Sequence, residues 1–147
     1  MSFRITRRSQ ASWQGTDAEG GGRIALGSGA FEGPYSLRTR VEEVDRATNP
    51  EELIAAAEAA CFTMSLANKL TEVGHPPRDL RTDASLRLEQ QDGGFSITRI
   101  ALATVGDVDG VTAERFAELA EEAKLTCPVS KALSGPEITL TATLTGT

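Results

Sequence analysis

Hydrophobic and polar positions alternate in two rhythms along the chain. Between positions 80 and 90 the period is two. Leu80, Thr82, Ala84, Leu86 and Leu88 alternate with Arg81, Asp83, Ser85, Arg87 and Glu89. Charge confined to one face predicts a half-solvated strand over 80–90. Asp92-Gly93-Gly94 supplies a hairpin turn, and 95–105 reads as the returning strand. The alternation recurs in a closing strand over 137–144, through Ile138, Leu140, Ala142 and Leu144. Upstream, 3–13, 23–26 and 35–41 have the β-branched and aromatic content of strands. The polar loop over 14–22 contains three adjacent glycines, Gly20, Gly21 and Gly22. No helix and no Lys-Ser/Thr follow them, so the loop reads as a hairpin tip rather than a phosphate cradle.

The second rhythm is helical. Thr48 or Asn49 can cap a helix, Pro50 suits its first turn, and Glu51 and Glu52 complement the positive end of its dipole. Helical composition runs to Val73, where Gly74 provides the stop. A helix this long and alanine-rich is expected to be central, with small side chains that let another element come close. A second helix starts at the cap Thr112 and runs to about Leu125, with Ala113, Phe116, Leu119, Ala120 and Ala123 as its apolar stripe. Pro128 opens a short helix over 128–133. The predicted order is β-β-β-α-β-β-α-β, an α+β class with no regular βαβ crossovers.

A length of 147 residues suits one domain spanning 1–147. Fifteen basic residues against 21 acidic ones give a net charge of −6, which disfavours a nucleic-acid partner. No apolar run approaches the roughly 18 residues of a membrane span. Arg4, Arg7 and Arg8 are followed by no apolar core, so the start is not read as a secretory signal. The expected compartment is the reducing cytoplasm, where purely structural disulfides are rare. His75 is the single histidine and there is no Cys-x-x-Cys, so no metal site and no cofactor are expected. A Ser/His/Asp triad would have to use His75, which reads as an exposed loop residue beside Pro76 and Pro77.

Two cysteines remain. Cys61 lies mid-helix on a face shared with Ile54, Ala57, Ser65 and Asn68, which is expected to be buried. A buried thiol is inert unless a cation stabilises its anion, and this helix offers none within reach of Cys61. Cys127 would cap the short helix at Pro128, with Lys124 and Lys131 nearby. By local sequence alone Cys127 is the more reactive thiol. The alternative is a pair of buried thiols with no chemistry.

Thr48-Asn49-Pro50-Glu51-Glu52-Leu53-Ile54-Ala55-Ala56-Ala57-Glu58-Ala59-Ala60-Cys61-Phe62, with Cys127-Pro128-Val129-Ser130-Lys131 far downstream, resembles the osmotically inducible protein C / organic hydroperoxide resistance (OsmC/Ohr) family. Trp13, the turn at Gly29, Pro34-Tyr35 and Glu137-Ile138-Thr139-Leu140 extend the resemblance over essentially the whole chain, closer to the OsmC branch. The resemblance implies two antiparallel sheets around long central helices in an intertwined homodimer, with sites at the subunit interface. It implies a peroxidase that reduces organic hydroperoxides, with Cys61 as the peroxidatic and Cys127 as the resolving thiol, reversing the local ranking. It implies Arg40 and Glu51 as an activating pair, with Arg38 and Arg23 as alternatives to Arg40. A dithiol reductant such as a lipoylated protein or dihydrolipoamide would close the cycle. Phe62 and Met64 are candidates for an alkyl pocket, against plain core packing. Glu58 departs from the family pattern and is expected to point away from Cys61 or pair with a cation. The competing function is a non-catalytic stress-protection or ligand-binding protein on the same fold.

Overall fold

The computed structural model describes residues 2–145. Its chain divides into two compact units, Met1–Leu53 and Ile54–Thr147.

The first unit carries an antiparallel sheet of β1 (Ser9–Gln14), β2 (Gly21–Leu26) and β3 (Glu32–Tyr35). β1 starts at Ser9, six residues after the predicted start at position 3. Trp13 and Tyr35 both register opposite Gly22. A Cβ there would lie 1.9 Å from the Ser12 carbonyl oxygen and 2.9 Å from the Tyr35 ring. The bare glycine leaves room for the Tyr35 ring, which meets the Trp13 ring edge to face with centroids 5.4 Å apart.

The third predicted strand is corrected. β3 ends at Tyr35, and Leu37–Val41 forms a short helix, α1. Ser36 is the reason. Its hydroxyl accepts from the Thr39 amide at 3.2 Å, while its own amide donates to Thr39 Oγ1 at 2.9 Å. This reciprocal capping box overrides the β preference of Thr39 and Val41.

The unit ends in the first turn of α2 (Pro50–Glu72). Asn49 Oδ1 accepts from the Glu52 amide at 2.7 Å, as an N-cap should. Its amide nitrogen donates to the Thr39 carbonyl at 2.9 Å, tying this cap to α1.

The second unit holds the remainder of α2 and a sheet in the order β4 (Asp79–Gln91), β5 (Gly94–Asp107), β6 (Glu137–Thr145). α2 ends in a Schellman motif. Gly74 has φ +86°, His75 N–H bonds to the Leu70 carbonyl, and Gly74 N–H bonds to the Thr71 carbonyl. Asp92 and Gly93, at φ +47° and +82°, make the two-residue turn between β4 and β5.

β5 and β6 pair in parallel, so the second sheet is mixed rather than antiparallel throughout. The connection between them is a helical crossover of α3 (Ala113–Thr126) and α4 (Pro128–Ala132). The core of this unit joins Phe62, Leu66 and Leu70 of α2 to Ile100 and Leu102 of β5 and to Phe116, Leu119, Ala120 and Ala123 of α3. Burial of each large apolar side chain contributes roughly 1.5–3 kcal/mol. Ala113, expected in that stripe, is exposed at the first turn of α3.

One side of α2 is open in the single chain. Ala56, Ala57, Ala60 and Asn68 are exposed, and Met64 is 74% exposed. With Ala67, Pro77 and Leu80, the side chains of Ala56, Ala60 and Met64 line a groove of about 640 Å³. Among the described residues no helix is long and apolar enough to cross a membrane.

Candidate functional site

The second unit brings the two cysteines together. Cys61 is carried by α2, and Cys127 is the residue between α3 and α4, serving as C-cap of one and N-cap of the other. Their side chains lie close enough for Cys127 to act on the ionisation of Cys61, although 66 positions separate them in sequence. No disulfide joins them. Cys127 is fully buried, whereas Cys61 retains partial exposure. Cys61 is therefore less buried than its helix face suggested, because Ala57 and Asn68 beside it are open.

Two effects oppose each other at the Cys61 sulfur. Burial raises its pKa, and the neighbouring Cys127 and the negative charge of Glu58 push the same way. The Val129 amide, in the first turn of α4, donates to the sulfur and favours the anion. The net shift is upward, so the second unit by itself holds Cys61 as a thiol. A thiolate requires positive charge from outside this cluster.

Glu58 overturns its expectation. It is completely buried and points inward, and the Ser130 hydroxyl donates to its Oε1. Its Oε2 is buried without a hydrogen-bond partner. Ser130 lies within a segment the sequence had marked, but only the structure gives it a role. The carboxylate three residues before Cys61 meets the hydroxyl three residues after Cys127.

Arg40, Glu51, Arg38 and Arg23 occupy the first unit. Arg40 Nε donates to Glu51 Oε1 at 2.7 Å and its Nη2 to Oε2 at 3.2 Å. This is a two-pronged ion pair on a carboxylate buried at the start of α2. Arg38 does not share its direction. On a helix, residues two apart point about 200° apart, and Arg38 bonds Glu42 at 3.0 Å on the exposed side. Arg38 stood as an alternative to Arg40 on the expected strand, and the helix that replaces that strand turns it away. Arg23 lies 3.7 Å from Glu32, with both side chains exposed. A small hollow of about 170 Å³ beside Arg40 is lined by Trp13, Tyr35, Leu37 and Pro50. Phe62 is completely buried in the core, while Met64 lines the open groove on α2. No group of three His, Cys, Asp or Glu residues suited to a metal ion occurs among the described residues.

Residues 43–142 match the family model described as OsmC-like protein. The chain is 43% identical over 137 residues to Peroxiredoxin OsmC of Escherichia coli (strain K12), covering 92% of this chain and 94% of the relative. It is 32% identical over 121 residues to Organic hydroperoxide resistance protein OhrB of Bacillus subtilis (strain 168), covering 80% and 87%. Among solved structures, an organic hydroperoxide resistance protein from Elizabethkingia anophelis with thiocyanate bound superimposes with a TM-score of 0.73 at 26% identity, covering all of both chains. With the family model spanning more than half of its length and a near full-length relative at 43% identity, the chain belongs to the OsmC-like protein family.

Proposed function

We propose that the chain is a cysteine-based peroxidase that reduces organic hydroperoxides, and hydrogen peroxide more weakly, using Cys61 and Cys127. The single observation carrying this reading is the closeness of the two thiols, one partly accessible and one fully buried. The names of the relatives, a peroxiredoxin and organic hydroperoxide resistance proteins, support the same chemistry.

The Cys61 thiolate attacks the distal oxygen of the peroxide. The O–O bond breaks, the sulfur becomes a sulfenic acid, and the alkoxide leaves as an alcohol after taking a proton. Cys127 then attacks that sulfur, forming the Cys61–Cys127 disulfide within one chain and releasing water. An external dithiol, a lipoylated protein or a dihydrolipoamide-like molecule, restores both thiols by exchange. No cofactor takes part.

The missing positive charge is assigned to Arg40, with Glu51 holding the guanidinium in one orientation. A unit charge pair about 4 Å apart gains about 4 kcal/mol at an effective dielectric near 20, before desolvation. Half of that would shift the thiol by about 1.5 pKa units, at 1.36 kcal/mol each. The same guanidinium can donate to the leaving oxygen. The working assembly in this reading is an intertwined homodimer of single-domain chains in the cytoplasm, with sites at the subunit interface. The open face of α2 is the surface such packing would cover.

Thiol titration tests the proposal against a non-catalytic binding protein. Loss of two free thiols after about one equivalent of cumene hydroperoxide, balanced by one alcohol formed, is the expected two-electron result. Cys61→Ser should abolish turnover with a dithiol, and Cys127→Ser should stop at the sulfenic acid. Two unreactive thiols in the native protein would overturn the peroxidase reading.

A further inference from the structure

The carboxylate buried beside the thiol pair has no part in the mechanism above. Glu58 is entirely removed from solvent, its Oε1 takes the Ser130 hydroxyl, and its Oε2 is buried with no partner. None of the ion pairs among the described residues involves it. A group left in this condition is costly to keep unless its free oxygen has work to do. Its placement is specific. Glu58 and Cys61 lie one turn apart on α2, and Ser130 and Cys127 lie one turn apart at α4. The Glu58–Ser130 bond therefore runs alongside the Cys61–Cys127 pair and fastens the same two segments.

Forming the disulfide poses a proton problem that this placement answers. Cys127 is fully buried, so bulk water cannot take its proton as its sulfur attacks. We infer that Glu58 is the internal proton carrier for disulfide formation, accepting the Cys127 proton and passing it to the hydroxide that leaves Cys61. The inference rests on the peroxidase reading. In this step the S–S bond forms and the S–O bond of the sulfenic acid breaks. The thiol proton moves to Glu58 as the Cys127 electron pair enters the new bond. Glu58 then protonates the departing hydroxide, water leaves, and the carboxylate is restored. No outside oxidant or reductant is consumed. Ser130 is a positioning residue, since its hydroxyl occupies one carboxylate oxygen and leaves the other without a partner.

The test is rapid-mixing kinetics on the full chain with one equivalent of cumene hydroperoxide. Sulfenic acid is followed by dimedone trapping and disulfide by loss of the trappable species and of free thiol. In Glu58→Gln, which keeps the shape and the acceptor for Ser130, sulfenic acid should form at least as fast as in the native protein. Disulfide formation should be at least tenfold slower. Its rate should climb about tenfold per pH unit, because hydroxide must then remove the thiol proton, whereas the native rate changes much less. Glu58→Asp should recover part of the loss. Native-like disulfide formation in Glu58→Gln, with sulfenic acid forming normally, would overturn the role of Glu58 and leave the peroxidase intact. Absence of both sulfenic acid and disulfide in the native protein would overturn the peroxidase instead.

Discussion

Arg40 holds Glu51 by both prongs, at 2.7 and 3.2 Å, while Arg38, two residues earlier, turns the other way to Glu42. The difference follows from the helical turn set by Ser36 and Thr39. It separates Arg40 from Arg38, its nearest alternative in the sequence. Arg40→Ala is expected to lower peroxide turnover by at least tenfold, measured with cumene hydroperoxide and dihydrolipoamide. Arg38→Ala removes only an exposed i,i+4 pair, worth about 0.3–0.5 kcal/mol, and should leave turnover within twofold.

The pH dependence of alkylation separates the two environments of Cys61. The surroundings within its own unit raise the thiol pKa through burial first, then through Cys127 and Glu58. A raised pKa means the neutral thiol prevails at pH 7, and the reactive anion appears only as pH climbs past the ordinary thiol range. In Arg40→Ala the iodoacetamide rate at Cys61 should therefore stay low at neutral pH and rise only under alkaline conditions. The native protein should reach its plateau at lower pH. Coincident profiles would remove Arg40 from the activation of Cys61.

Self-association should be sensitive to the open face of α2. Met64 is 74% exposed in the single chain and lies on the groove beside Ala60. Met64→Glu places a charge where the proposed homodimer would bury an apolar side chain. Sedimentation velocity should show dimer for the native protein and a shift toward monomer for the variant. A native protein that sediments as a monomer would count against the assembly.

Gly106 on β5 faces the ring of Phe116. A Cβ at this position would lie 2.6 Å from Phe116 Cζ and 3.0 Å from Leu80 Cδ2. Gly106→Ala should thus cost about 1–3 kcal/mol by overpacking, seen as a lower urea midpoint. Phe62→Ala should cost about 3–5 kcal/mol, since it empties a fully buried aromatic site.

Much of the fold could be read from local chemistry. Asn49-Pro50-Glu51 marked the start of α2, Gly74 its end, and Asp92-Gly93 the β4–β5 turn. The alternation from Leu80 to Leu88 matches the half-buried face of β4. What escaped was decided by partners distant in sequence or by competing local signals. Thr39 and Val41 favour a strand by composition, yet one capping box turns them into a helix. The parallel pairing of β5 with β6 leaves no trace in either strand's own pattern. Glu58 was expected to point away from Cys61 or pair with a cation, and only Ser130, 72 positions away, shows the partner it meets inside.

The unequal accessibility of the two sulfurs gives the recovery half of the cycle a direction. A bulky incoming reductant meets the half-open side at position 61, while position 127 is shielded on all sides. The mixed disulfide should therefore form at 61, and 127 should be the sulfur expelled first. Trapping with a large aromatic thiol and peptide mapping should find the adduct on Cys61. Whatever regenerates this protein thus handles one end of the bridge only, and the other end is freed without being touched.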